Sequence, residues 1–288
     1  MNLRIAPCFV FFVLFIQCGI AEKEETRNTI DYLEVGKMLK EIGAPRVVAL
    51  KSENGKRLTI VGCPHSRDTA SIEFDLIDIY FRHLSPDIAF NEGGPVADSI
   101  HFMSRNHAIS KSGETGLLKF KCDQLGIKML DGDFSAQDEF EVMLKRYPKE
   151  DLLLYYVFER FMIPYRYGFE GDKPIAEAYD HFISDYMMKH RFPLDGDEKT
   201  FTYLTSVYEK NLNQKFDITT ADFSKFNFLT DEGKFGKIAR VSKEIRDDKL
   251  MEKIKNAFQD HDRIFIVFGG AHVIAIEPAL VDLMKELH

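Results

Sequence analysis

Five short apolar runs rich in β-branched residues punctuate the chain: RVVAL at 46–50, LTIVG at 58–62, DIAFN at 87–91, GIKML at 126–130 and RIFIVF at 263–268. Their length and continuity predict buried strands rather than half-exposed ones. Between the second and third runs, Ala70 to Leu84 sets Ile72, Leu76, Ile79, Tyr80 and Leu84 at helical spacing, and Gly116 to Leu125 predicts a helix before the fourth. Strands alternating with crossover helices predict an α/β fold, with a central, largely parallel or mixed sheet flanked by helices.

The middle of the chain has another pattern. From Gln137 to Leu229 it is rich in Phe, Tyr, Leu and Met at helical spacing, with no convincing strand, so a helical insertion or lid is expected at about 137–229 within one α/β domain over 35–288. Amphipathic segments at 152–163 and 175–190 should pack on the sheet or cover it. Breaks are expected near Pro164, Gly168 to Pro174 and Phe192 to Asp197. A long polar helix, from about Gly236 to Phe258, should lead back to the last strand.

The chain opens with one Arg, an apolar run from Ile5 to Ile16, and small residues Gly19 and Ala21 before an acidic stretch. That is the pattern of a signal peptide over 1–21, cleaved after Ala21, and it implies a periplasmic or secreted protein. The run falls short of the roughly 20 residues that a membrane span needs. Lipid attachment at Cys18 is the one membrane link the sequence allows, although Phe15, Ile16 and Gln17 lack the small residues such processing favours. Residues 22–34 read as a charged, flexible leader, with the fold starting near Tyr32. Cleavage moves the net charge from -8 to -9, which argues against nucleic acid as a partner. It leaves Cys63 and Cys122, enough for one disulfide or for free thiols.

Ligands of a parallel sheet bind beyond the carboxyl ends of its strands. The residues there are His65 after the second run, Asn91 and Glu92 after the third, Asp131 and Asp133 after the fourth, and His272 after the fifth. Both histidines lie in Gly-x-x-His turns. Two imidazoles and a carboxylate can hold a divalent metal that activates water. Without metal, one His could act as general base, oriented by Glu92, with the other His or an Arg stabilising the oxyanion. The spacing leaves both open. Asn91 and Asp133 are expected to support the site from behind, whereas Asp131 suits a tight turn in LDGD. Arg67 and Asp68 are expected to cap the next helix, and Glu277 to lie near the start of the last one, favoured by its dipole. His83, His101, His107, His181, His190, His261 and His288 read as surface or packing residues.

Three blocks, IVGCPHSRD at 60–68, PDIAFNEGGP at 86–95 and residues 245–280 around RIFIVFGGAH, together resemble the Tiki, TraB and GumN family. Its superfamily also includes erythromycin esterases and the haem-uptake protein ChaN. The blocks cover roughly a fifth of the chain. The resemblance implies a mixed sheet with a site between its halves, built here by His65, Glu92, His272 and Arg246. Activities differ across such relatives: the Tiki branch resembles Mn- or Co-dependent proteases, the esterases use a His-based hydrolysis, and ChaN binds haem. For this chain the resemblance implies an exported hydrolase of a peptide or small-molecule ester, assisted by Mn, Co or Zn at His65, Glu92 and His272. The alternative is a haem- or metal-binding protein without turnover. Cys63 and Pro64 depart from the commoner first block, where Thr and a small or apolar residue are frequent.

Overall fold

The computed structural model describes residues 28–168 and 171–287. The expected signal peptide, its cleavage point and Cys18 lie outside the described residues. Order begins earlier than a leader running to residue 34 would allow. The Ile30 N–H binds the Ala275 carbonyl, Asp31 caps the first helix by accepting from the Leu33 N–H, and Tyr32 is already buried.

That helix, α1 (Tyr32–Ile42), leads into strands β1 (Arg46–Lys51) and β2 (Arg57–Cys63). Then come α2 (Ile72–Leu84), β3 (Ile88–Asn91), α3 (Arg105–Leu125) and β4 (Lys128–Asp131). The chain closes with α9 (Lys234–Asp260), β5 (Arg263–Gly269) and α10 (Gly270–Glu286). The five strands make one sheet in the order β1-β2-β5-β3-β4, antiparallel between β1 and β2 and parallel elsewhere. The fold is therefore α/β with a mixed sheet and helices on both faces.

Alternation along the strands divides the core. Leu58, Ile60, Ile264, Ile266 and Phe268 face α1, α9 and α10, while Val61, Phe265 and Val267 face α2 and α3. Phe265 and Phe268 are fully buried, so truncating either to Ala should cost about 3–5 kcal/mol. On α2 the buried stripe is Glu73, Phe74, Ile77, Phe81 and Leu84, whereas Ile72 and Ile79 are exposed. The helix is rotated relative to the face its aliphatic residues suggest, because two Phe rings bury more area than the isoleucines. The helix cap also differs from expectation: Ser71 holds the N-cap position, while Asp68 accepts from the Ala70 N–H in the turn before it.

Between β4 and α9 lie α4 (Ala136–Leu144), α5 (Lys149–Val157), α6 (Ile163–Arg166), α7 (Ile175–Phe182) and α8 (Phe201–Leu212), with no strand among the described residues. They bury a separate aromatic core against the first half of α9. Pro164 does not break the chain's helical course. A wide π turn over Phe158–Met162 links α5 to α6, so the proline ring falls in the first turn of a new α segment, where a missing N–H costs little. No described helix is long and apolar enough to cross a membrane. Cys63 and Cys122 are both buried free thiols on the α2/α3 side of the sheet.

Candidate functional site

Register decides what meets at the sheet edge. Cys63 pairs with Gly269, and Asn91 pairs with both Val267 and Asp131, so β2 and β5 end together and β3 and β4 end together two residues short of them. The residues just beyond them converge. His65, Glu92, Asp133 and His272 are brought together with Arg246, which α9 carries in from behind the strand ends.

Glu92 is the centre. Its Oε1 accepts from Arg246 at 2.6 Å and its Oε2 from the Gly269 N–H at 2.5 Å. Each oxygen also faces one imidazole: His65 Nε2 stands 3.8 Å from Oε2, and His272 Nε2 stands 3.7 Å from Oε1. Gly269 is required for this packing, since a Cβ there would lie 2.9 Å from both Glu92 Oε2 and His65 Nε2. Burial by itself would raise the Glu92 carboxyl. Arg246, then His272 and His65, outweigh it and hold the group far below the ordinary carboxylate range.

Both histidines are tied from behind by a carboxylate, and strand-end reasoning finds neither tie. His65 Nδ1 lies 2.5 Å from Glu114, and His272 Nδ1 lies 2.5 Å from Asp247. Glu114 reaches inward because α3 is kinked at Ser112 and Gly113, where Gly113 takes a positive φ that an L side chain resists. A Cβ at Gly113 would also meet the Ser66 carbonyl at 2.9 Å, so the kink seats the loop that carries His65. Asp247 is held again by Tyr32, whose hydroxyl donates to it at 2.6 Å and lies 2.9 Å from His272 Nδ1. His272, the third residue of α10, is further framed edge-on by Tyr32 and Phe268.

The two imidazoles differ in setting. The side chain of His272 is 5% exposed, whereas that of His65 is 55% exposed and its backbone has a φ of 62°. The hydrogen bond to Glu114 is the main influence on His65 and raises its pKa, against a smaller opposing effect of burial.

Arg246 is buried and forms a fork with Asp133, donating from Nε to one oxygen and from a terminal nitrogen to the other, both at 2.7 Å. One guanidinium thus bridges two carboxylates. Burial would also raise Asp133, and Arg246 brings it below its usual value. Asn91 is buried and donates to the Glu92 and Gly94 carbonyls, which shapes the loop but does not bring its amide to the imidazoles. Asp131 accepts from the Asp133 N–H in the tight turn expected of it. Glu277 lies well inside α10 rather than at its start and pairs with Arg46 of β1, so an ion pair, not the helix dipole, accounts for it.

A cleft of about 460 Å³ opens on Glu92, Asp133 and Arg246 and is bordered by Glu159, Arg160, Lys243 and the rings of Phe182 and Tyr186. Glu159 pairs with Lys243, and Arg160 with Glu139, which also accepts from the Ser242 hydroxyl. Among the described residues, no three His, Cys, Asp or Glu groups are drawn together closely enough to hold a metal ion. The donor types nevertheless suit one: two Nε2 atoms with their far ring nitrogens on carboxylates, and a third carboxylate between them. Compared with known family models, curated proteins and solved structures, the chain matches none.

Proposed function

We propose that the protein is a hydrolase of an amide or ester, in which His65 and His272 work from opposite sides of Glu92. The observation that carries this reading is that a single carboxylate offers each of its oxygens to a different imidazole Nε2, at 3.8 and 3.7 Å, while both Nδ1 atoms are held by carboxylates. A neutral imidazole that donates Nδ1–H carries its lone pair on Nε2, so both lone pairs face the region of Glu92.

Glu92 is held too acidic to accept a proton near neutral pH, so it orients rather than titrates. His272, buried and fixed by Asp247 and Tyr32, takes a proton from water at Nε2 as general base. His65, more exposed and with a raised pKa, gives a proton to the leaving nitrogen or oxygen. Arg246 keeps Glu92 anionic and in place. In the alternative with a divalent ion such as Mn, Co or Zn held by His65, Glu92 and His272, the two Nε2 atoms would be ligands rather than proton carriers, and the ion would supply the activation of water by lowering its pKa. The resemblance to the Tiki, TraB and GumN proteins supports the same residue set. The charged border of the cleft favours a polar reacting group over a porphyrin face.

The test is hydrolysis of a panel of peptides and small esters, with and without added Mn, Co or Zn, alongside metal analysis of the purified chain. His65→Ala and His272→Ala should each lower kcat/KM by about 10²–10⁴. Unaltered turnover in both variants would sink the reading.

A further inference from the structure

A second cavity, of about 510 Å³, lies in the helical layer between α6 and the segment that precedes α9. Its walls are Ile163, Tyr167, Phe223, Phe226, Phe228 and Leu229. Its volume falls within the roughly 300–1,000 Å³ of pockets that enclose small organic molecules. Phe158 stacks on Phe226 at 4.2 Å, fixing that ring against the π turn. The same π turn carries Glu159, which borders both this chamber and the cleft over Glu92. Wide turns of this kind recur at functional sites because they re-aim a side chain without ending the helix.

The wall between the two cavities is continuous with the site. Lys243 pairs with Glu159 and lies 5.1 Å over the Phe228 ring. Phe228 in turn packs edge-on against Tyr32, the residue that holds Asp247 and His272. Three polar side chains on the chamber wall are already engaged, and the fourth, Glu159, pairs with Lys243 through one oxygen while its other oxygen is buried without a partner among the described residues. Arg166 donates to the Ala221 carbonyl and lies 4.7 Å over the Phe223 ring, Ser224 binds Asp222, and Asn227 accepts from the Leu229 N–H. An anionic ligand group would meet the Glu159 carboxylate and have to displace one of these contacts, whereas an apolar one would displace none.

We propose that this chamber binds a bulky uncharged group, aromatic or branched aliphatic, carried by the amide or ester whose reacting bond lies over Glu92. The assignment to a substrate rests on the hydrolytic reading, but the chamber can be tested apart from turnover. The full chain is titrated with N-phenyl-1-naphthylamine, an uncharged dye that brightens in apolar surroundings. Ile163→Trp and Ser224→Trp each fill the chamber from a different wall. The chain has no tryptophan of its own, so the emission of each new indole also reports whether it is buried in a folded protein.

The dye should bind the wild type and His65→Ala equally. Its affinity should fall by about tenfold or more in both filled variants, as expected for overpacking a formed pocket. Their kcat/KM should fall for bulky aromatic esters and stay unchanged for acetyl esters. Failure of the wild type to bind the dye, or binding unaffected by both fillings, overturns the chamber. Dye binding lost on filling, with no ester or peptide hydrolysed, upholds the chamber as a binding site and overturns the hydrolytic reading alone.

Discussion

The His65 and His272 sides of Glu92 are built from one plan and set in different surroundings. Each has a Gly-x-x-His motif that begins in the last residues of a strand, an Nε2 directed at Glu92 and a carboxylate behind Nδ1. On the His272 side everything is buried, and a tyrosine from α1 adds a third tie. On the His65 side the ring is over half exposed and a single glutamate from a kinked helix holds it. One motif thus supplies a rigid group and an accessible one at the same carboxylate. Rigidity comes from how many neighbours share the polar contacts, not from the motif.

The largest test strikes both sides at once. Arg246→Met leaves Glu92 and Asp133 buried without their cation and should cost about 3–5 kcal/mol in urea unfolding. In the wild type both carboxyls are held low, so their contribution is present above the ordinary carboxylate range and is lost only on strong acidification. The variant should begin to lose stability at higher pH. A cost below about 1 kcal/mol would mean that the centre is held by something other than this guanidinium.

Separating the two sides is the next step. His272→Ala leaves buried Asp247 with only the Tyr32 hydroxyl and should lose about 2–3 kcal/mol, whereas His65→Ala opens Glu114 to water through the space of an exposed ring and should lose only about 1 kcal/mol. Equal melting shifts for the pair would erase the contrast. Tyr32→Phe removes only a hydroxyl and should cost about 1 kcal/mol while leaving the His65 ring signals in place; movement of those signals in an NMR spectrum would show the two sides to be coupled.

The smallest effect concerns protonation. The raised pKa of His65 means that its pairing with Glu114 is fully stabilising below the ordinary histidine value and fades as pH rises through the raised one. Glu114→Gln should move the His65 titration to lower pH, seen in its ring protons, and carry the alkaline limb of hydrolysis with it. A titration unchanged by this substitution would assign the shift to Glu92 instead.

Strand positions and the converging residues at their ends were readable because a buried parallel strand leaves a continuous apolar run and a glycine-marked turn. His65, Glu92, Asp133 and His272 all sit at such ends. Arg246, which reads as one charge among many on a polar helix, joins them only through its place in the third block of resemblance. Glu114, Asp247 and Tyr32 escaped for a shared physical reason. Helical periodicity marks apolar faces, and it is silent about a polar side chain that is buried because another polar side chain awaits it. The RDD sequence at 246–248 and the glycines flanking Glu114 were the only local signs. Tyr32 was hidden by the charged residues before it, which read as a leader, although Asp31 is an N-cap.

The position of β5 has a consequence for how the protein is made. It is the central strand, joining the β1-β2 pair to the β3-β4 pair, yet it is the last strand in the chain. Until it emerges from the ribosome, the inner edges of β2 and β3 have no partner, and such edges invite pairing with other chains. The helical layer, with its own aromatic core, can condense before that moment. Assembly of the sheet therefore waits for one late segment, and Glu92 gains Gly269 and His272 in the same event that closes the two exposed edges.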